Sequence, residues 1–378
     1  MKNAIVPFDQ PVFVTRPLLP PLPKITEKLQ EVWDAQWLTN EGAQHVMLEH
    51  RISEYLGVPH LSLFNNGTIA LITAMQSLRL SGDVITTPFT FPATPHVLSW
   101  NGIRPIFCDI DPVTMNIDAS RIESLITPHT TAILGVHVYG TPCDVKAIAD
   151  IANRYGLRVV YDAAHAFGAR IGEMGIGNFG DVTMFSFHAT KLFHTAEGGA
   201  LAFRDPNLKA RIDLLKNFGI KNQEEVVMPG INGKMNELQA VLGLAVLDLV
   251  ETERSKRSAV VKAYRENLAT IEGIAPMPHV EGADSFQYFV VRIDEAAFGF
   301  SRDYVFDELK KYNVFARKYF YPLCSEYACY RQLPSSEPAS LKVAHQVVRE
   351  VLCLPLYGDL GPEGAVRICE MLRSFGRS

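Results

Sequence analysis

No apolar stretch in the chain is long enough to cross a bilayer: the best, Ala240 to Val250, falls well short of the roughly 20 residues that a spanning helix needs. The opening residues, MKNAIVPFDQPVF, lack the apolar core and cleavage site of a secretory signal. Basic charge is not in excess either. With 36 Lys and Arg against 41 Asp and Glu the formal charge is −5, which argues against a nucleic-acid partner whose phosphates must be neutralised. No two of the cysteines Cys108, Cys143, Cys324, Cys329, Cys353 and Cys369 form a Cys-x-x-Cys pair. Most sit in apolar, strand-like runs and read as buried free thiols in a reducing compartment. Low-complexity tracts, internal repeats and a heptad period are also missing, which excludes a solenoid, a coiled coil and a disordered chain. The expectation is a cytoplasmic enzyme acting on small molecules, without a membrane partner.

Apolar periodicity supplies the positive signal. Between about residues 55 and 205, short β-branched runs alternate with helical ones. The strands are His60–Phe64, Val84–Thr87, Pro105–Asp109, Ala132–Val138, Arg158–Asp162, Val182–Phe187 and Ala200–Phe203. The helices are Thr68–Leu80, Ala93–Asn101 and Val145–Tyr155. This alternation predicts an α/β fold with a mostly parallel central sheet covered by helices, whose ligands sit beyond the carboxyl ends of the strands. A long helical stretch follows from Lys234 to Thr270. Beyond it come a strand at Gln287–Ile293, a helix at Arg302–Tyr312, a strand at Val314–Tyr319 and two closing helices. Residues 1–40, rich in proline, read as an extended arm and a first helix; residues 41–248 as a large domain; residues 249–378 as a smaller C-terminal α/β domain.

Three places could carry chemistry. Asn65-Asn66-Gly67-Thr68 lies between a strand and a helix, so its amides and the Thr68 hydroxyl either receive a phosphate or simply cap the helix. Asp162 ends an apolar strand and needs a cationic or donor partner; a protonated pyridine nitrogen and a neighbouring turn both qualify. His165, close behind it, reads equally well as a core histidine. In Phe185-Ser186-Phe187-His188-Ala189-Thr190-Lys191, followed by Glu197-Gly198-Gly199, a lysine follows an apolar strand among small and aromatic residues. Partial desolvation there lowers its pKa and makes the amine nucleophilic toward an aldehyde, and Ser186 on the same segment could reach a phosphate. The literal dinucleotide pattern Gly175-Ile-Gly177-Asn-Phe-Gly180 leads into a strand rather than a helix, which argues against NAD. His188 and His194 lack a metal-ligand spacing, so no metal is expected.

The segments NNGTIAL, TPFTFPAT, YDAAHAFGA, FSFHATK with EGG, and NGKMNELQA, in this order, resemble the sugar-nucleotide aminotransferases of the DegT/DnrJ/EryC1/StrS family over essentially the whole chain. The resemblance implies the aspartate-aminotransferase fold (fold type I) and pyridoxal 5'-phosphate as cofactor. It makes Lys191 the Schiff-base lysine and proton shuttle, and Asp162 the partner of the pyridine nitrogen. His165 then stands near the phenolic oxygen, Gly67, Thr68 and Ser186 at the phosphate, and Phe91, rather than Phe89, stacked on the ring. It further implies that Asn232 reaches the cofactor phosphate of a neighbouring subunit, so that sites are shared in a homodimer. His188, Tyr319 and Tyr321 fall on the substrate side, together with the Trp37-Leu38-Thr39-Asn40 segment. Leu192 departs from the asparagine that many relatives carry there. A nucleotide-linked keto sugar is the implied acceptor, with L-glutamate as donor and 2-oxoglutarate as product. A narrower likeness, in WLTNEG, LFNNGTIALITA, ITTPFTF, HVYGTPCDV and RKYFYPLCSEY, points to members that aminate dTDP-4-keto-6-deoxy-D-glucose. Amination at C3, a UDP or GDP carrier, and a non-catalytic regulator are the alternatives.

Overall fold

A computed structural model of the chain describes residues 5–280 and 285–376. Seven strands form the central sheet in the order His60–Phe64, Gly199–Phe203, Val182–Ser186, Arg158–Asp162, Thr130–Val136, Asp83–Thr86, Arg104–Phe107. Gly199–Phe203 runs antiparallel to both of its neighbours, and the remaining pairings are parallel. The predicted mostly parallel α/β sheet is therefore present. Strands such as Asp83–Thr86 are buried along their whole length, as expected of a sheet covered on both faces. Local chemistry sets the helix ends. In Val145–Tyr155 the Asp144 carboxylate accepts from the Ala147 amide at 3.0 Å, and Gly156 stops the helix at φ 66°.

A second, antiparallel sheet joins Ile274–Pro276, Phe289–Ile293 and Val351–Leu354. Helices Val250–Leu268, Arg302–Lys311 and Gly361–Phe375 share its apolar core, through Tyr264, Leu309 and Ile368 among others. The proline-rich arm is extended, as read from sequence. Val12–Phe13 pairs in parallel with Val314–Phe315, and a helix follows at Leu22–Ala35.

Four expectations need correction. The long helical stretch is two helices, Glu237–Leu247 and Val250–Leu268, broken at Asp248 and Leu249. The first is buried nearly all round, whereas the second turns one face to the smaller core. The strand read as Val314–Tyr319 stops at Phe315; Arg317 makes an isolated bridge to Cys353, and the chain then turns so that Tyr319 faces Tyr288. Val351–Leu354, absent from the sequence reading, is a strand lodged between the last two helices; four successive buried apolar residues carry no alternation to mark it. Among the cysteines, all free, Cys329 is exposed and the other five are buried.

Candidate active site

Because six of the seven strands point the same way, Phe64, Thr86, Val136, Asp162 and Ser186 end on one edge of the sheet, and Gly199 starts the antiparallel strand there. Most of the residues singled out from sequence lie on loops leaving that edge.

The helix Gly67–Ser77 begins directly after the first strand. Asn66 caps it, its side chain accepting from the Ile69 amide at 2.8 Å, so the capping reading holds. The cap leaves the Gly67 and Thr68 amides without an acceptor among the described residues, and the Thr68 and Ser186 hydroxyls are unpaired there too. A Cβ on Gly67 would stand 3.2 Å from both the Met184 sulfur and the Ser186 Cβ, so glycine is what lets the helix start approach the strand end. The result is a small concavity of unpaired donors at the positive end of a helix, which is suited to a phosphate.

Asp162 is buried. One carboxylate oxygen accepts from the Ala164 amide at 3.0 Å and the other from the Thr94 hydroxyl at 2.8 Å, so the turn-bonded reading is also realised. Thr94 in turn shares a 2.8 Å hydrogen bond with Thr90. Burial raises the Asp162 pKa; the two hydrogen bonds and the Lys191 charge oppose that shift. No basic side chain is hydrogen-bonded to this carboxylate among the described residues, and an N–H⁺ group would relieve its desolvation.

Lys191 is half-buried in an irregular loop. Desolvation lowers its pKa from 10.5 to about 8, against the opposing pull of Asp162. Its Nζ lies 5.9 Å from the centre of the Tyr288 ring. Tyr288 meets His165 edge-on at 4.9 Å and Tyr319 at 5.3 Å, and His165 is parallel to Phe320 at 5.7 Å. The Tyr139 hydroxyl donates to the Tyr319 carbonyl. His165 is held neutral by burial, and its Nδ1 has no partner.

Phe91 is exposed, 56% of its surface open, while Phe89 is wholly buried against Tyr139 and Phe320. Of the pair, Phe91 alone has a free face. Exposed His188 shares a 2.9 Å hydrogen bond with Thr190 and stands 3.6 Å from Glu197. Exposed Asn232 accepts from Lys234 at 3.0 Å, and its carbonyl accepts from Asn65 beside the phosphate-type concavity. Tyr321 is exposed, with Arg302 and Lys318 over its ring at 5.4 and 5.9 Å.

Sequence reasoning missed Thr94, Tyr139, Gln287, Tyr288 and Phe320. Thr94, Tyr139 and Phe320 lie inside quoted segments and could have been flagged. Gln287 and Tyr288 reach the site only through tertiary contacts.

An amine whose pKa is lowered to about 8, close enough to a buried carboxylate to feel its charge, is equipped to condense with a carbonyl, and on this sheet it defines an α/β enzyme of the lysine-carbonyl class. The model of the DegT/DnrJ/EryC1/StrS aminotransferase family matches residues 23–373. Over 368 residues the chain is 46% identical to the dTDP-4-amino-4,6-dideoxy-D-glucose transaminase of Escherichia coli, covering 96% of this chain and 98% of that one. Over 299 residues it is 35% identical to the GDP-perosamine synthase of Caulobacter vibrioides, covering 78% and 80%. The solved structure of DesI in the presence of its TDP-sugar product superposes with a TM-score of 0.93 at 38% identity, covering 98% and 94%. The chain belongs to the DegT/DnrJ/EryC1/StrS family and is a pyridoxal-phosphate-dependent sugar aminotransferase. The groups already described fit that cofactor: unpaired amide and hydroxyl donors for a phosphate, a buried carboxylate with no basic partner for a ring nitrogen, an orphan imidazole nitrogen and a reactive amine.

Proposed function

We propose that the enzyme transfers an amino group from L-glutamate to C4 of dTDP-4-keto-6-deoxy-D-glucose, giving dTDP-4-amino-4,6-dideoxy-D-glucose and 2-oxoglutarate. The observation carrying this substrate is the 46% identity to the E. coli transaminase, which is spread along nearly the full length of both chains.

In this reading Gly67, Thr68 and Ser186 hold the cofactor phosphate and Phe91 lies on the ring. Asp162 keeps the ring nitrogen protonated, and His165 donates toward the phenolic oxygen. Pyridoxal phosphate supplies an electron sink for the negative charge that develops when a proton leaves the amine-bearing carbon. Lys191 is the base that takes that proton from the donor and the acid that returns it to C4 of the sugar. Its lowered pKa suits both tasks, because an amine near neutrality gives and accepts protons at comparable cost. His188, Tyr319 and Tyr321 border the nucleotide sugar.

The functional unit in this proposal is a homodimer with shared sites. Trp33, Trp37, Val46, Met47, Phe218 and Val226 are exposed apolar side chains. Trp33 lies on the helix Leu22–Ala35, Val46 and Met47 on the helix Ala43–Leu56, Trp37 between the two, and Phe218 and Val226 on the loop that leads to Asn232, so a second copy covering that loop would also meet Asn232. The two sheets would be the cores of a large domain over residues 41–248 and a smaller one over 249–378, and the free thiols suit the cytoplasm.

The test is the absorbance of the cofactor-loaded enzyme. Glutamate should remove the band of the lysine-bound cofactor, and the dTDP-linked keto sugar should restore it. A band that glutamate removes but only UDP- or GDP-linked sugars restore would overturn the substrate.

A further inference from the structure

The loop that carries Lys191 belongs to neither sheet nor helix. Its own backbone bonds, such as Lys191 to the His188 carbonyl at 2.9 Å and Thr195 to Phe187 at 3.0 Å, close turns within it, and buried His194 ties its far end to the Leu18 carbonyl at 2.9 Å. At the lysine itself a side chain from far along the chain makes the tie. Gln287, 2% exposed, donates from Nε2 to the Thr190 carbonyl at 3.0 Å and accepts at Oε1 from the Leu192 amide at 2.8 Å. One carboxamide thus binds the peptide groups on either side of the lysine.

Gln287 is itself well anchored. It leads into the strand Phe289–Ile293, and the preceding Phe286 carbonyl accepts from fully buried Arg257 at 3.1 Å. Arg257 is paired with Glu253 at 2.6 Å. The next residue, Tyr288, presents its ring to the Lys191 amine. Consecutive residues leading into the smaller sheet therefore meet the lysine backbone and the lysine head.

We propose that Gln287 is a positioning residue for Lys191, a carboxamide clamp that fixes the lysine Cα so that one amine can serve two carbon centres in turn. The inference rests on reading Lys191 as the cofactor-bearing amine. Glutamine is specified by the geometry: asparagine is one methylene too short, glutamate would set an oxygen against the Thr190 carbonyl, and methionine offers neither bond. The clamp also holds the amine in its desolvated place. Asp162, His165 and Tyr288 are the titratable groups facing it, and none of them replaces the clamp's bonds to the loop.

Gln287→Glu, which keeps one bond, and Gln287→Met, which keeps none, test the clamp in the full-length protein. We expect kcat to fall on the order of 10-fold in the first and 100-fold in the second, with both KM values within about 2-fold of the parent, as for a reacting group misplaced by a fraction of an ångström. A second measurement needs no turnover. Competitive acetylation of the cofactor-free protein, read at the Lys191 peptide by mass spectrometry, should show its apparent pKa rising in both variants toward the ordinary lysine value. An unchanged Lys191 pKa, or a loss confined to KM, in either folded variant would overturn the clamp. If the parent forms a cofactor band that survives in Lys191→Ala, the reading of Lys191 fails first and takes the clamp with it.

Discussion

Lowering one amine from 10.5 to about 8 changes what it can do at neutral pH. At pH 7.5 roughly a quarter of such amines are neutral, against roughly one in a thousand for an ordinary lysine, and only the neutral form attacks an aldehyde. Burial sets the direction, because it penalises the charged form; the Asp162 carboxylate pulls the other way and is the weaker influence. The rate at which cofactor-free protein takes up pyridoxal phosphate should therefore rise through about pH 8 and level off above it. Stopped-flow absorbance across pH 6.5 to ~10 would show this, and a rate still climbing steeply at the top of that range would mean that the folded protein does not desolvate Lys191. The neutral state of His165 has the same origin, burial first and the Lys191 charge second. An imidazole that stays neutral across the working range can donate a proton in a hydrogen bond without adding a second positive charge to the site.

Helix termini decide where several of these residues stand. Helix Ala43–Leu56 starts at Gly42, which has no side chain to cap it, and the cap comes from 193 residues away in the Glu237 carboxylate, which accepts from the Gln44 and His45 amides at 2.9 and 2.8 Å. A Cβ on Gly42 would come within 2.4 Å of that carboxylate, so the glycine makes room for its own cap. Glu237→Gln should cost about 1 to 2 kcal/mol, since one amide loses an acceptor and the helix loses a negative charge at its positive end. Thermal unfolding would register this as a lower Tm, and an unchanged Tm would count against the cap. Contacts of this kind mark the limit of what the sequence displays. Lys191, Asp162 and the Gly67 turn were legible because strand endings and helix starts are local patterns, and the alternation of elements placed them on one sheet edge. Thr94 at Asp162, Gln287 at Lys191 and Glu237 at the Ala43 helix act across 68, about 95 and about 190 residues. Nothing local distinguishes such residues from ordinary polar ones. The break at Asp248 and Leu249 was hidden for a related reason: both flanking helices are good helix formers, and only their packing against different cores requires the chain to turn.

At the scale of the whole molecule the question is which subunit Asn232 serves. Within one chain its carbonyl is tied to Asn65 and its carboxamide to Lys234, so the side chain stands at the rim of the phosphate-type concavity, exposed, on a loop that carries Phe218 and Val226 into solvent. Exposed apolar side chains on a loop beside a polar rim are what a second copy would cover, and covering them about a two-fold axis would bring each Asn232 toward the other chain's site. Mixing two inactive variants tests this. Lys191→Ala removes the amine, and Asn232→Asp sets a negative charge against a phosphate. If Asn232 acts in trans, a mixed dimer holds one site with both native residues and one with both altered. Random reassortment makes about half the dimers mixed, so roughly a quarter of the parental activity should return on mixing, although neither variant is active alone. If Asn232 acts within its own chain, every site in the mixed dimer carries one defect and no activity returns. Recovery that depends on total protein concentration would in addition show that the active sites form only when two chains meet.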